Sequence, residues 1–421
     1  MASETMGAAV GGPALTGAGD GTRYFARQPI LDLRGRVHGY ELLFRQAPEE
    51  GFRGDGNLAT RTMLDNSVIF GIDRLTGGLP AFVNCTRESL VDGLVRVLPP
   101  AMTVLELLED LEPSPELMDA CRKLKSLGFR LALDDFMWRP GIEALLELAD
   151  YVKVDFALTG RRDRAALLDR LRPYAVALVA EKVETQEEYR EACADGFTLI
   201  QGYYFCRPVL FKGQGVPVNR LSQIQILESL RSTPLDLPQV SELVKRDASL
   251  TYRLLRLVNS PVCAIRQEVR SIEAALLAVG DDVFRRIATL AIATELNSGQ
   301  PSALLRLAFV RGRFCELAAG LCGMDPTEQY LLGLLSLLPA MLLMPMKDLT
   351  PALPLRNEIR QALEGADVSE RRLLDWLIHL ECGDWAQCDT IVELCKVDPH
   401  SFMDRYADAV VWAEDALCYA E

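Results

Sequence analysis

The segment Arg130-Leu-Ala-Leu-Asp-Asp-Phe136 places two aspartates directly after a short apolar run, and this arrangement recurs along the first half of the chain. Strands of a parallel β/α barrel are buried on both faces, so they appear as apolar runs with functional groups at their C-terminal ends. Segments with helical spacing, such as Pro115 to Leu124, lie between the runs. The alternation predicts an α/β fold with a mostly parallel sheet closed into a barrel. The polar residues that end the runs are Glu41, Asn84, Glu106, Asp134 with Asp135, Lys153, Glu181 and Gln201.

These strand-end residues form an oxygen-rich set with one lysine, and their chemistry predicts a metal site. Several carboxylates at one end of a barrel repel one another and resist burial unless a cation joins them. Because no His or Cys lies at these positions, the expected ions are Mg²⁺ or Mn²⁺ rather than Zn²⁺. Lys153 would hold an attacking water or stabilise charge on a phosphoryl oxygen. Any one acid taken alone is explained as a helix cap or a solvent-facing residue, but the ordered set favours the metal site.

The motifs around the strand ends follow a fixed order. They are Gln28-Pro-Ile, Glu41-Leu-Leu-Phe-Arg45, Glu106-Leu-Leu-Glu109, Leu133-Asp-Asp-Phe136, Val152-Lys-Val-Asp155, Glu181-Lys-Val-Glu184-Thr and Gln201-Gly-Tyr-Tyr-Phe-Cys-Arg-Pro208. In this order they resemble the EAL domain, a barrel phosphodiesterase that linearises cyclic di-GMP, from about residue 24 to 212. The resemblance implies an α/β TIM-like barrel.

The resemblance also implies a role for each position. Glu41, Asn84, Glu106 and Asp134 would hold a first metal ion, and Asp135 with Asp134 would hold a second. Lys153 and Glu181 would position and activate water, and Gln201 would complete this catalytic group. Gln28 and Arg45 would contact the dinucleotide, and Glu109 would organise the loop after Asp135. Two Mg²⁺ or Mn²⁺ ions that share an aspartate bind both the attacking hydroxide and the scissile phosphate, which implies hydrolysis of cyclic di-GMP to linear pGpG.

Two departures from the family pattern leave a second function open. Family members usually continue Gly-Thr-Gly after Phe136, whereas this chain continues Met137-Trp-Arg-Pro-Gly141. Bulky residues and a proline stiffen a segment in which glycines permit unusual backbone angles. Lys182 replaces a glycine and adds a cation beside Glu181. The retained ligands favour the enzyme, and the altered loop favours an inactive EAL domain that acts as a cyclic di-GMP sensor or a protein-interaction scaffold.

The second half of the chain has a helical pattern that begins after a Gly/Pro break at residues 213–217. Residues 240–261 and the segment Ser271 to Gly280 resemble the HDOD domain, an all-α module related to HD phosphohydrolases. HD hydrolysis needs His and Asp ligands, and enzymatic relatives carry Gly-Leu-Leu-His-Asp-Ile-Gly where this chain has Gly333-Leu-Leu-Ser-Leu-Leu-Pro339. We therefore expect a regulatory domain that binds a protein partner rather than a second enzyme.

Composition agrees with two domains, predicted at residues 23–212 and 213–421, after a disordered tail at residues 1–22. The net charge of −14 provides no basic field for polymeric nucleic acid. The eleven cysteines form no CxxC pair, which is typical of reduced thiols in a cytoplasmic protein. The uncharged stretch from Gln329 to Met346 contains Pro339 and is expected to be a buried core segment rather than a membrane span. The EAL resemblance also makes a homodimer through the barrel an expectation.

Overall fold

The computed structural model of the chain describes residues 24–45, 71–206, 236–245, 271–296 and 301–418, with short gaps in these ranges, and isolated positions between 226 and 269. The predicted tail at residues 1–22 and the break at residues 213–217 lie outside the described residues. The predicted domain limits at those two places therefore stay predictions.

Eight strands close into a barrel, which confirms the predicted α/β fold. Strands β2 to β8 pair in parallel with their neighbours in sequence. Strand β1 runs antiparallel to both β2 and β8, a reversal that the sequence pattern does not reveal. The strands are β1 (Tyr24–Asp32), β2 (Val37–Arg45), β3 (Ala81–Cys85), β4 (Thr103–Leu107), β5 (Arg130–Leu133), β6 (Tyr151–Asp155), β7 (Ala177–Glu181) and β8 (Leu199–Gln201).

The barrel interior has an apolar layer below a polar one. Side chains two residues apart share one face of a strand, and each member of the apolar layer lies two residues from a polar residue, which is Gln28 for Ile30 and a strand-end residue for the others. Gly39 is the inward position below Glu41, and a Cβ there would lie 2.6 Å from the carbonyl oxygen of Pro80. The apolar layer consists of Ile30, Phe82, Val104, Ala132, Tyr151, Val179 and Leu199.

Helices cover the outside of the barrel, as the strand and helix alternation predicts. Two of them have clear N-terminal signals, because the Ser114 side chain accepts a hydrogen bond from Leu117 N, and Thr185 with Glu188 forms a capping box. The helices are α1 (Ile72–Thr76), α2 (Arg87–Val91), α3 (Pro115–Ser126), α4 (Glu143–Leu146), α5 (Arg161–Leu171) and α6 (Gln186–Asp195), with 3₁₀ turns at Leu94–Val97, Pro100–Met102 and Tyr204–Cys206.

The described part of the second half is helical, as predicted. Ser271 caps the second of its helices by accepting a hydrogen bond from Ala274 N. The helices are α7 (Leu237–Lys245), α8 (Ile272–Val279), α9 (Asp281–Leu296), α10 (Ser302–Ala319), α11 (Pro326–Leu335), α12 (Leu338–Leu342), α13 (Met346–Leu349), α14 (Asn357–Leu363), α15 (Arg372–Glu381), α16 (Trp385–Cys395) and α17 (Pro399–Cys418), with 3₁₀ turns at Gly320–Cys322, Thr350–Ala352 and Ser369–Arg371.

The apolar stretch from Gln329 to Met346 contributes to the core of this helical half. It is divided between α11 and α12 and ends at the first residue of α13. Leu332, Leu338 and Met341 within it are buried. None of the helices in the described part of the chain combines the length and apolar character that a membrane span requires.

The last helices of the chain pack against the barrel. Helix α15 contacts β1, and α17 contacts α1. The Arg27 guanidinium lies 2.8 Å from Glu414 Oε1 of α17, and both side chains are buried. Phe25 and Tyr406 pack with their ring centroids 5.2 Å apart. The first strand of the barrel is therefore in direct contact with the helical half.

Candidate active site

The polar strand-end residues form a connected network at the carboxyl end of the parallel strands. Glu41 accepts hydrogen bonds from three side chains: Asn84 Nδ2 at 3.1 Å, Gln201 Nε2 at 2.6 Å and Lys153 Nζ at 3.2 Å. Gln201 Nε2 also donates to Gln28 Oε1 over 2.8 Å. Because β1 is antiparallel, Gln28 reaches this end although it comes before Ile30 in its strand. Five residues predicted from the sequence are thus brought into contact.

Lys153 lies at the centre of the site and is fully buried. Its ammonium group contacts carboxylates from four different strand ends. The distances from Lys153 Nζ are 2.6 Å to Glu106, 2.8 Å to Asp134, 2.8 Å to Glu181 and 3.2 Å to Glu41. One formal positive charge therefore faces four acids, which leaves an excess of negative charge if all four are ionised.

The pKa values of these acids reflect that excess. Burial raises the pKa of Glu181 to about 8, although the Lys153 charge opposes the rise. Burial and then the charge of Glu41 raise the pKa of Glu106 well above its ordinary value, and burial also raises the pKa of Asp134. Burial would raise the pKa of Glu41 too, but the Lys153 charge and three hydrogen bonds lower it overall. Part of the set therefore retains protons unless further positive charge is supplied.

The donor set suits a divalent cation in its chemistry. Six oxygen atoms at the site are buried without a hydrogen-bond partner, and two of them, Glu106 Oε1 and Asp134 Oδ1, are ion-paired with Lys153. The other four are Asn84 Oδ1, Glu106 Oε2, Asp135 Oδ1 and Gln201 Oε1. Carboxylate and carboxamide oxygens are the ligands that Mg²⁺ and Mn²⁺ prefer. In this structure the carboxylates contact the Lys153 ammonium instead of a metal ion. Among the described residues, no three His, Cys, Asp or Glu side chains are arranged to hold a metal ion.

Asp135 lies at the rim of the site beside Lys182. The Lys182 ammonium is 3.7 Å from Asp135 Oδ1 and also donates a hydrogen bond to Asp155. Asp155 is held in place because its Oδ1 accepts from the backbone N–H groups of Ala157 and Leu158. Both Asp135 and Lys182 have positive φ values, 38° and 55°, which non-glycine residues rarely adopt. The residue that replaces a family glycine thus contacts a predicted metal ligand.

The loop at residues 137–141 is tied to its surroundings on two sides. The Arg139 guanidinium donates to the backbone carbonyl groups of Glu109 and Leu111. The Trp138 ring packs under Arg170, whose guanidinium carbon lies 3.8 Å from the ring centroid. The connection to Glu109 uses its carbonyl group, and Glu109 is exposed. The loop is therefore connected to Glu109 through its main chain, and the loop-organising role of the Glu109 side chain stays a prediction.

Some residues that shape the site have no role predicted from the sequence. Asp155 forms an ion pair with Lys182, and its position in the Val152-Lys-Val-Asp155 motif is the feature of the sequence that indicates a role in the site. Arg27 connects β1 to α17, but one arginine beside Gln28 gives no such signal in the sequence. Arg45 is the last residue of β2, and its side chain lies outside the described part of the chain.

Comparison with known proteins gives the class of each half. The family model described as "EAL domain" matches residues 82–208, and the model described as "HDOD domain" matches residues 219–372. The barrel with its acidic site and the helical half thus define a two-domain EAL and HDOD protein. Helices α16 and α17 lie beyond the second match.

Two curated relatives extend over nearly the whole chain. The "Uncharacterized protein YuxH" of Bacillus subtilis is 32% identical over 94% of this chain and 98% of its own length. The "Cyclic di-GMP phosphodiesterase CdgJ" of Vibrio cholerae is 31% identical over 94% of this chain and 93% of its own length. The chain belongs to the family of proteins that join an EAL domain to an HDOD domain. A solved complex of Klebsiella pneumoniae BlrP1 with calcium and cyclic di-GMP is 25% identical, covers 43% of this chain and 54% of that chain, and has a TM-score of 0.37.

Proposed function

We propose that this protein is a cyclic di-GMP phosphodiesterase that uses Mg²⁺ or Mn²⁺ to hydrolyse one phosphodiester bond and release linear pGpG. The observation that carries the proposal is the convergence of Glu41, Glu106, Asp134 and Glu181 within 3.2 Å of Lys153 Nζ. Four acids around one lysine are costly to bury for stability alone. The function named for CdgJ, a relative over nearly the full length, supports the same activity.

The proposed roles follow from the chemistry of each side chain. Glu41, Asn84, Glu106 and Asp134 would hold one cation, and Asp134 with Asp135 a second. Bound Mg²⁺ or Mn²⁺ supplies Lewis acidity and lowers the pKa of a bound water. Lys153 would orient the attacking water and stabilise negative charge on the phosphoryl oxygens. Glu181, whose carboxyl group lies 2.8 Å from Lys153, would accept a proton from that water once the positive charge of bound cations had lowered its raised pKa.

The substrate would enter from the open end of the site, above the polar layer. Gln28 and Gln201 are hydrogen-bonded to each other there, so their two amide groups could contact the dinucleotide together. Arg45 ends the adjacent strand β2 and would supply positive charge to a phosphate. Gln201 would contact both the dinucleotide and the acidic site, because it also donates a hydrogen bond to Glu41.

The helical half would regulate the barrel and bind a protein partner. Two of its contacts support this role because they adjoin the residues proposed to bind substrate. Arg27, next to Gln28, is paired with Glu414 of α17. Tyr203, two residues after Gln201, interacts electrostatically with Glu381 and Cys382 at the end of α15. Movement of α15 or α17 would therefore act directly on β1 and on the end of β8.

Binding of cyclic di-GMP without turnover is the second candidate function. The ties of Arg139 to the Glu109 and Leu111 carbonyl groups favour it, because they restrain a loop that would have to close over substrate. The ion pair of Lys182 with Asp155 favours it as well, since the same ammonium lies near Asp135. Both contacts lie at the rim of the site, and neither involves the four acids that contact Lys153.

The deciding experiment measures pGpG formation by the full-length protein with Mg²⁺ or Mn²⁺, together with cyclic di-GMP binding in Ca²⁺. We expect metal-dependent pGpG formation that Asp134→Asn lowers by a factor of about 100 or more, a loss typical of a removed group that stabilises transition-state charge. Asp119→Asn is the matched control, because Asp119 is exposed and pairs with Arg122 on the surface of α3.

Each outcome supports one function. Metal-dependent turnover that survives Asp119→Asn but not Asp134→Asn supports the enzyme. Binding without turnover in either cation supports the sensor. Absence of both in protein that is shown to be folded by circular dichroism rejects cyclic di-GMP as the ligand of the barrel.

A further inference from the structure

Two cysteines of the helical half lie together at the wall of a cavity of about 620 Å³. Cys322 is the last residue of the 3₁₀ turn after α10, and Cys395 is the last residue of α16. Met324, Arg372 and Leu394 line the same cavity. Both cysteines are partly exposed, whereas Cys315 on the neighbouring α10 is buried. A small solute in the cavity would therefore have access to both thiols.

The two thiols interact and differ in character. The Cys322 and Cys395 side chains meet at the wall of the cavity that both line. Their interaction, with a smaller contribution from the Arg372 charge, lowers the pKa of Cys395 to about 7 although burial opposes the shift. The same interaction raises the pKa of Cys322. Cys395 is therefore the more easily ionised member of the pair.

We propose that Cys322 and Cys395 form a reversible disulfide on exposure to hydrogen peroxide, which reaches them through the cavity. The low-pKa member of a cysteine pair reacts first with peroxide, and the second member resolves the product. Both cysteines end a helical element, and the residues that follow them, Gly323 and Lys396, have left-handed backbone conformations. Helix ends fray more readily than helix interiors, so the two sulfurs can reach disulfide geometry with little loss of helical structure.

The chemistry balances with peroxide as the sole oxidant. The Cys395 thiolate attacks one peroxide oxygen, the O–O bond breaks, and the hydroxide that leaves takes up a proton to become water. Cys395 is then a sulfenic acid. The Cys322 sulfur attacks the Cys395 sulfur, the S–O bond breaks, and the hydroxide leaves as water with the Cys322 proton. Two thiols are oxidised to one disulfide, and one peroxide is reduced to two waters.

The bond would join two parts of the helical half that are separate in sequence. Cys322 lies within the HDOD match at residues 219–372, and Cys395 lies beyond it. Helix α17 begins at Pro399, shortly after Cys395, and supplies Glu414 and Tyr406 to the contact with the barrel. The disulfide would close a loop of roughly 70 residues, a length at which cross-links restrict the unfolded chain strongly. Oxidation would therefore fix α16 and the start of α17 to the HDOD segment.

The test treats reduced full-length protein with hydrogen peroxide and measures the intact mass and a peptide map without reductant. We expect a mass loss of about 2 Da and one linked peptide pair that contains Cys322 and Cys395, with both changes reversed by dithiothreitol. Cys322→Ser and Cys395→Ser should each abolish the linked pair. Cys382→Ser is the matched control, because Cys382 is exposed but its thiol interacts with Tyr203 rather than with a second thiol.

A second readout separates thiol chemistry from a folding defect. In Cys322→Ser, peroxide should leave Cys395 as a sulfenic acid that dimedone traps, whereas Cys395→Ser should give no such adduct at Cys322. The melting temperature should rise on oxidation in the original protein and in Cys382→Ser only. A peptide map in which Cys322 and Cys395 stay separately alkylated after peroxide, or in which either is linked to another cysteine, overturns the proposal.

Discussion

The Lys182 ammonium lies 3.7 Å from Asp135 Oδ1, with both residues in left-handed backbone conformations at the rim of the acidic site. Lys182 also donates to Asp155, whose side chain is buried. A residue that interrupts the family pattern is thus fixed beside an acid that the pattern assigns to a metal.

Replacement of Lys182 by Gly should strengthen divalent cation binding, because it removes a like charge from the neighbourhood of Asp135. We expect Mn²⁺ affinity to increase about tenfold, which corresponds to ~1.4 kcal/mol. Isothermal titration calorimetry of the original protein, Lys182→Gly and Lys182→Arg measures the effect. Lys182→Arg retains the charge and should bind like the original protein. Equal affinities in all three would show that the ammonium does not compete with the cation.

Replacement of Lys153 by Met should destabilise the metal-free protein, because four buried acids lose their shared counter-charge. Breaking a buried ion pair costs about 3–5 kcal/mol. Urea unfolding in EDTA measures the loss, and saturating Mn²⁺ should recover part of it. Lys123→Met, an exposed position on α3, is the control and should change the free energy of unfolding by less than about 0.5 kcal/mol. A metal-insensitive Lys153→Met protein would argue against a cation at this site.

Replacement of Glu414 by Ala should weaken the contact between barrel and helical half. Glu414 pairs with Arg27 and Arg306, and its loss leaves the Arg27 charge buried. We expect a loss of about 3 kcal/mol, with a smaller loss in Arg27→Met/Glu414→Met, because an apolar pair leaves no unpaired charge. Urea unfolding compares them with Glu393→Ala, an exposed change on α16. A double variant as unstable as Glu414→Ala would point to packing rather than charge as the cause.

His38 should make stability depend on pH. Its Nε2 lies 3.2 Å from the Tyr151 hydroxyl group, and its pKa is lowered, first by burial and then by the Arg130 charge, with Asp32 opposing the shift. The unfolded chain therefore takes up a proton more readily, so the stability contributed by His38 is present above the unfolded pKa of about 6.5 and is lost as pH falls through the folded value. The free energy of unfolding should drop more steeply with acid in the original protein than in His38→Asn. Parallel curves would contradict the assignment.

Replacement of Lys396 by Gly should stabilise the protein. Lys396 ends α16 with φ 54° and ψ 40°, a conformation that costs a non-glycine residue roughly 1–2 kcal/mol. The gain should be about 0.5–1 kcal/mol after the greater freedom of glycine in the unfolded chain is subtracted. Lys396→Ala keeps the strain and should give no gain. Urea unfolding of the three proteins measures the difference, and an equal gain from Ala would exclude backbone strain as the cause.

The order of the barrel elements could be predicted from the chain because each strand carries its own local signal. Apolar runs such as Thr103-Val-Leu and Tyr151-Val end at the polar residues Glu106 and Lys153, and the strands form there. The period of two along a strand then places those polar residues above the apolar layer that contains Val104 and Tyr151. The same period of two therefore identifies which residues belong to the site.

The partners within the site could not be predicted, since they depend on the closure of the barrel. The sequence lists four acids and a lysine, but only the closed sheet brings all four carboxylates onto Lys153. The sequence shows that Lys182 replaces a glycine, but only the fold directs its ammonium to Asp155 and Asp135. Contacts between residues far apart in the chain have no local signal.

By itself the sequence determined an acidic β/α barrel followed by a helical half, because hydrophobic period and strand-end chemistry are local properties of the chain. The tertiary structure alone decided the antiparallel course of β1, which places Gln28 beside Gln201. It alone joined Arg27 to Glu414 and Cys322 to Cys395, pairs whose members are far apart in the chain. Such pairs form only when packing closes the chain between them, and no stretch of sequence short enough to be interpreted locally contains both members.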